Sequence, residues 1–546
     1  MPTAAFRSRL RALRAVAAAL ALVGTACGGT APLVDNAASG ADAGNPVDGA
    51  PAEAEPSTAT ATTSVTPDPP SLPVPQPSAS TETDRIDSDY HDWSHAGISE
   101  VDIADQLAVA DFGAVPDDGQ SDSDAFAAAI AAAGGGGVTA IDLAPGRYEL
   151  TSTLFLDSGV VLRGTGPDSV LVVDTGGRDE PGIEARGEPA GPWIAVTSDV
   201  AVGATRVPVA DVGPFRVGHT VELERGNDDA VMNTRDEWDV DWGEGSVGEL
   251  NVVVGIEGSE LLLATPLHSD YDDDLGVTVR VVDPIRDVGL ESLTVQRRDE
   301  GYASTMVFAF ALNVWLDDVV GYRTSRAHVD LAQVYGCRIS GSVFHHATDY
   351  GDGGRAYGVS LARHATNCLV IDNTLFDLRH AIIIQLGASG NVIAYNDARG
   401  SAGYEDRQPR ADLSLHGHWP QANLFEGNVF DRVVFADWWG PSGPTNTLFR
   451  NCVRDYVVVA DQSDNQNLVG NVVGLGGITV EPDIDGTTLE ANVALVPETG
   501  ATVPTIELPA SLWRAAAPDF LAAWPPIDVS SATPSCEVPA SSRAES

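Results

Sequence analysis

Asn446-Thr447-Leu448-Phe449-Arg450-Asn451 is one copy of a motif that decides the fold: a small residue or Asn, three or four apolar-rich positions, then Asn. The closing Asn recurs at Asn373, Asn396, Asn428, Asn451, Asn471 and Asn492, with Ser342 and Gly321 in the matching place upstream. The gaps, from Gly321 onward, are 21, 31, 23, 32, 23, 20 and 21 residues. A repeat of this length is one turn of a solenoid. Asn suits a fixed corner because it tolerates left-handed backbone and its amide can pair with the same amide one turn away. The two long gaps each carry a loop of roughly ten extra residues, near 346–356 and 400–411, and such insertions usually build one face.

Upstream, Val109-Ala110-Asp111-Phe112-Gly113-Ala114 reads as a strand end, Asp117 to Asp124 as an Asp/Gly-rich turn, and Ala125 to Ala133 as an Ala-rich helix that Asp122 or Ser123 caps. Strand Val138–Leu143, turn Pro145-Gly146 and strand Val160–Gly164 follow. This order resembles the opening of the pectate-lyase-like superfamily, in which the helix plugs the end of a right-handed parallel β-helix. The resemblance covers roughly 91–530. It implies an all-β, single-stranded, pectin-lyase-like parallel β-helix with an N-terminal capping helix near 123–133. The superfamily's Asn-Thr-Asp, Asp-Asp, Gly-His-Gly and Arg-Ile-Lys active-site series are missing. Tyr357 through His380, Asp412–Pro420, Asn423–Asn428 and Asn446–Asn451 look like exported bacterial β-helix proteins of unassigned reaction, so the resemblance transfers fold and location.

The rest of the chain divides by composition. Residues 1–27 read as a signal peptide: Arg7, Arg9, Arg11 and Arg14 precede the apolar run Ala15–Val23. Leu22 to Gly29 resembles a lipoprotein cleavage box with Cys27 as the lipidated residue, although Gly24 stands where that pattern prefers Leu; ordinary cleavage near Ala26 is the alternative. Either implies export, as an outer-surface lipoprotein or a secreted protein, with any membrane contact through the lipid alone. Residues 28–88 form a Pro/Ala/Ser/Thr/Asp linker, 89–174 the cap and first turns, 175–285 a β-rich insertion, 286–500 the main turns, and 501–546 a C-terminal cap and tail over the last turn. The chain carries 78 acidic and 31 basic residues, a formal charge of −47, and every basic residue is Arg. Such an excess argues against nucleic acid as a partner. A monomer is expected. With 5 cysteines there is no disulfide framework; Cys337 and Cys368, each five residues before the corner on adjacent turns, either bridge or stack as thiols.

Aligning turns on their Asn brings Val329–Ala332, Gly358–Ala362, Ile382–Gln385, Leu413–His416, Val434–Asp437 and Val458–Asp461 into one sheet. Alternation turns Gln385, His416, Asp437 and Asp461 outward in one column, with turns ~4.8 Å apart. Stacked Asp437 and Asp461 suit glycoside hydrolysis, since one of two close carboxylates keeps its proton. His416 as base with Arg379 as charge neutraliser suits lyase elimination from an acidic sugar. His380 lies beside Arg379 within reach of the column. Asp412, His418 and Tyr357 are candidate substrate contacts, and Trp419, Trp438 and Trp439 offer flat faces to sugar rings. His416 and His418, two residues apart, would need a third ligand to hold a metal, so the metal stays unknown. Ca2+ is the possible cofactor, at acidic loops 236–241 and 270–274. The expected function is cleavage of a polysaccharide by a lyase or glycoside hydrolase; the alternative is a non-catalytic glycan-binding or adhesive surface lipoprotein.

Overall fold

A corner every 20 to 23 residues lets each turn lie on the last, and the chain coils accordingly. The computed structural model describes residues 91–134, 137–238, 241–351, 353–402, 411–435, 439–495, 508–529 and 536–545. Twenty-seven strands form one sheet wrapped around a common axis, each paired in parallel with the strand one turn away. A right-handed crossover is the sterically favoured way to connect such strands. One face holds Tyr357–Ala362, His380–Ile384 and Leu413–Leu415. The next holds Thr366–Ile371, Val392–Ala394, Leu424–Glu426 and Thr447–Phe449.

Two amide ladders hold the corners. Asn373, Asn396, Asn428, Asn451, Asn471 and Asn492 stack, each Nδ2 donating to the next Oδ1 at 2.9–3.1 Å. Ser342 extends the line by donating its backbone N–H to Asn373 Oδ1 at 2.9 Å. A parallel ladder runs Asn391, Asn423, Asn446, Gln466 at 2.9–3.1 Å. Each Asn also donates to a main-chain carbonyl, as Asn428 Nδ2 does to Ile393 O at 2.8 Å. The amides thereby satisfy corner groups that no strand ladder reaches.

Inside the coil one apolar column runs from Phe126, Ile141 and Leu162 through Val329, Leu361, Ile384 and Leu415 to Val459 and Val473. The helix Ser123–Ala133 closes its first end with Phe126, Ala129, Ile130 and Ala133. Asp122 does not cap that helix through its side chain. Its two carboxylate oxygens instead accept the N–H groups of Val115 (3.0 Å) and Glu149 (2.9 Å), tying the helix entry to the first turns. The described tail packs along the flank of the coil, where Leu508, Leu512, Trp513, Phe520 and Trp524 cover outward-facing Leu369, Ile371, Leu424 and Phe449.

Of the two arrangements open to Cys337 and Cys368, the structure has the stacked thiols, and the bridge lies elsewhere. Cys337 and Cys368 are neighbours in register, but both point into the core as free thiols. Side chains stacked in register run parallel about 4.8 Å apart, whereas a bridge needs Cβ atoms near 3.8 Å. Burial, then the hydrogen bond with Cys368, pushes the Cys337 thiol well above its usual range. The bridge joins Cys452, outward on its strand, to Cys536 in the tail, with Cα atoms 5.5 Å apart.

A second, antiparallel sheet of seven strands lies between Glu188 and Asp283. It seats on the corner that follows the first face. Gly387 and Gly390 allow the approach: both have left-handed φ, and a Cβ would meet Ser246 O at 1.7 Å and the His268 ring at 2.1 Å. Polar groups fix the seat. His268 Nε2 donates to Asn367 Oδ1 at 2.9 Å, and Thr366 Oγ1 accepts Leu250 N–H at 3.1 Å. Glu222 accepts from Arg280 (2.6 Å) and Gln333 (3.0 Å) and pairs with buried His364 (2.8 Å). Although burial opposes it, the bond and charge of His364 hold Glu222 down to about 2. Glu249 is fully buried and accepts Tyr271 O–H at 3.0 Å and His268 N–H at 3.0 Å. Burial raises it to about 8 against those bonds.

Three outcomes test this account. Asn428→Ala strands the Asn396 amide and the Ile393 carbonyl, and should cost ~2–4 kcal/mol in denaturant unfolding; Asn492→Ala, at the part-exposed end of the ladder, should cost less. Cys536→Ser opens a loop with a sequence separation of 84 residues and should lose up to ~4.5 kcal/mol in the chain-entropy limit; unfolding the wild-type protein without reductant should expose Cys337 and Cys368, not Cys452, to a thiol reagent. Glu249 binds its proton more tightly folded (about 8) than unfolded (4.5), so its contribution is full below the lower value and is lost as pH rises to the upper. The melting temperature of wild type minus that of Glu249→Gln should therefore be greater near pH ~5 than near pH ~8.5.

Candidate functional site

The outward row of the first face is set by strand register. Asp330, Ser360, Ile383, Ser414, Val434 and Val458 stand side by side, and the alternate residues Leu331, Leu361, Ile384, Leu415, Phe435 and Val459 point into the core. His416 follows Leu415 beside Gln385, with its N–H on Ile384 O at 2.8 Å. Leu415 pairs with Phe435 and Ser414 with Val434, whereas alignment on the corner Asn places Val434 beside Leu413. Asp437 and Trp438 lie outside the described residues.

Around this row four predicted side chains come together. Tyr357 and His380 are register partners at the strand entry, with ring centroids 5.5 Å apart. The Arg379 guanidinium lies 5.9 Å from the Tyr357 ring and donates to Gly351 O at 3.2 Å, in the first long loop. The His416 ring leans back to 6.3 Å from that of His380. Tyr357 and His380 are 3% exposed, whereas Arg379 and His416 keep partial access to solvent. His380 Nδ1 faces Ala411 O at 2.9 Å and so carries the proton. Burial, then the charge of Arg379, lowers His380 to about 3, leaving a neutral ring with Nε2 as its acceptor. Beneath the rings, Ile383 is fully buried, and the buried Ser360 hydroxyl has no hydrogen-bond partner among the described residues. Neither Ser360 nor Ser414 stands out in the sequence, because a single Ser on a strand carries no spacing signal.

Other predicted residues are used elsewhere. Asp461 pairs with Arg235 of the insertion at 2.7 Å. Asp412 is fully buried and accepts N–H groups from Ser401, Asp431 and Arg432 at 2.8–2.9 Å, so it ties loop to strand and does not face a ligand. Burial, then the charge of Asp431, pushes it up to about 7. The strand ends at Leu415, and Gly417, His418 and Trp419 all take left-handed φ. His418 therefore parts from His416: it is 1% exposed, donates Nε2–H to Trp238 O at 3.0 Å and meets the Trp242 ring edge-on at 4.6 Å. Trp439 packs on Trp242 at 5.7 Å, and Trp419 is half-buried against Gly443. Trp242 thus joins these rings to the insertion. Gln385 is buried beside His416. Cys27 lies outside the described residues.

Glu222, Glu224 and His364 are the group among the described residues whose oxygen and nitrogen atoms gather within 4.8 Å, as a metal would require. Both Glu222 oxygens are already taken by Arg280, Gln333 and His364, and His364 Nε2 donates to Gly245 O at 2.9 Å. This donor set fits a docking ion pair and not a metal centre. Of the two acidic loops expected to hold Ca2+, the one at 236–241 includes residues outside the description. In the other, Asp270 accepts Val202 N–H at 2.8 Å, and the charge of Asp199 raises Asp273.

No family model matches this chain, and no curated protein matches it. Solved structures do. The tailspike protein gp49 of Pseudomonas phage LKA1 matches with 16% identity over 67% of this chain and 64% of its own, TM-score 0.47. The chain thus spans less than two thirds of that tailspike's length. The A-module of the mannuronan C-5 epimerase AlgE6 of Azotobacter vinelandii matches with 15% identity over 72% of this chain and 100% of its own, TM-score 0.34. PfbA, a surface adhesin of Streptococcus pneumoniae, matches with 12% identity over 71% and 91%, TM-score 0.36. With its strands parallel around a closed axis and the helix Ser123–Ala133 at the entry, the chain has a parallel β-helix fold.

Proposed function

We propose that the protein is an exported enzyme that cleaves an acidic polysaccharide by β-elimination on the outer row of the first face. One observation carries the reading: Arg379 and His416 reach solvent over a buried layer of Tyr357 and His380, from two adjacent turns of one rigid sheet. Arg379 would pair with the uronate carboxylate and favour the acidity of C5–H. His416 would take that proton; the C–H electron pair forms the C4–C5 double bond as the C4–O bond breaks, and the imidazolium returns its proton to the departing oxygen. His380, neutral with Nε2 as acceptor, suits a hydrogen bond from a sugar hydroxyl. Hydrolysis is less well served, since Asp461 is held by Arg235. Export is supported by the Arg-led apolar N-terminus and by the Cys452–Cys536 bridge, which suits an oxidising compartment.

The test is a panel of uronate-containing polysaccharides with ultraviolet detection of unsaturated ends. His416→Ala and Arg379→Ala should each lower turnover by ~100-fold or more and leave the melting temperature nearly unchanged. New reducing ends without ultraviolet absorbance would replace elimination by hydrolysis. Binding without any product would make the surface a glycan receptor.

A further inference from the structure

His345 and His346 start the first long loop and take no part in the proposed elimination. They sit on strand Val343–Ala347, where Phe344 points into the core and His345 out. Strict alternation would turn His346 inward, away from its neighbour. Instead His346 has φ +63°, and this left-handed turn swings both rings to one side. Their Nδ1 atoms face each other at 2.8 Å. Left-handed backbone is unfavourable for a residue other than glycine, and one neutral hydrogen bond offsets little of that. Joining the rings by a proton alone therefore gains little.

Packing holds both rings. His345 lies between its register partners Tyr322 and Phe376, stacked on Phe376 at 4.8 Å and 21°. The Asp377 carboxylate lies 3.6 Å from His346 Nε2, which favours the proton on that nitrogen and leaves Nδ1 with its lone pair. A carboxylate behind the second nitrogen is the usual support of a metal-bound imidazole. The His346 side chain is 43% exposed, so an ion has access. Spacing distinguishes the ions: two nitrogens bound at ~2.0 Å and 90° are ~2.8 Å apart, but ~3.3 Å apart at a tetrahedral centre.

We infer that His345 and His346 form a cis two-imidazole site for a Cu(II)- or Ni(II)-class ion, with Asp377 as the positioning residue. Water would complete the coordination. The full chain should be titrated with Cu(II) and studied by pulsed EPR. One equivalent should show coupling to two imidazoles, and His345→Ala or His346→Ala should each abolish it. Asp377→Asn should weaken binding ~10–100-fold. Wild-type-like binding by both alanine variants overturns the site. Should either variant unfold, crystals of the unaltered protein soaked in Cu(II) decide by anomalous scattering. A peak ~2 Å from both Nδ1 atoms supports the site; its absence there leaves a pair joined by a proton only and overturns it.

Discussion

A buried side-chain amide, repeated once per turn, is the interaction on which the rest of this structure depends. A coil of short strands leaves main-chain donors and acceptors unpaired wherever it bends. Each corner Asn ties neighbouring turns together, as Asn428 does: its Oδ1 accepts the backbone N–H and the side-chain amide of Asn396, and its Nδ2 donates to Ile393 O and to Asn451 Oδ1. The ladder therefore fixes height and rotation together. A turn that slipped by one residue would bury an unpaired amide and drive polar side chains into the apolar column. Long loops can enter between corners because the corners hold register without them.

That rigidity makes a site possible on a surface assembled from turns far apart in sequence. Tyr357, His380 and His416 belong to consecutive turns and yet share one face of one sheet. The insertion uses the same scaffold differently. It occupies the corner just beyond the site with buried charge and imidazole, in Glu222, His364 and His268, and takes His418 into its seat. A buried ion pair gives orientation more surely than stability. Here it sets where the insertion stands relative to the Arg379 and His416 edge.

Acidity is distributed in the same way. Among the described residues most carboxylates are exposed or half-buried, while the buried few divide by partner. Glu222, facing His364 and Arg280, is held ionised; Glu249 and Asp412, served by neutral donors, are raised by burial. Sequence composition reports the first population and is silent on the second, because a carboxylate's partner is a property of packing.

What the sequence determined by itself was the coil. Its period, the corner Asn and the alternation of Leu413 and Leu415 with Ser414 are consequences of local chemistry repeated, so they can be read by counting. The helix at 123–133 and the strand position of His416 beside Gln385 followed from the same count. Tertiary structure decided what counting cannot reach. The pairing of Leu415 with Phe435 depends on how many residues the corner after Asn428 consumes, and it puts Val434 beside Ser414 and not beside Leu413. Cys452 found Cys536 because a distant tail lies on the outer face, while Cys337 and Cys368 faced inward side by side. His418 and Trp439 read as outward groups until a domain from elsewhere in the chain covered them. Periodicity is a local property, whereas burial by a remote segment leaves no mark on the residues it covers.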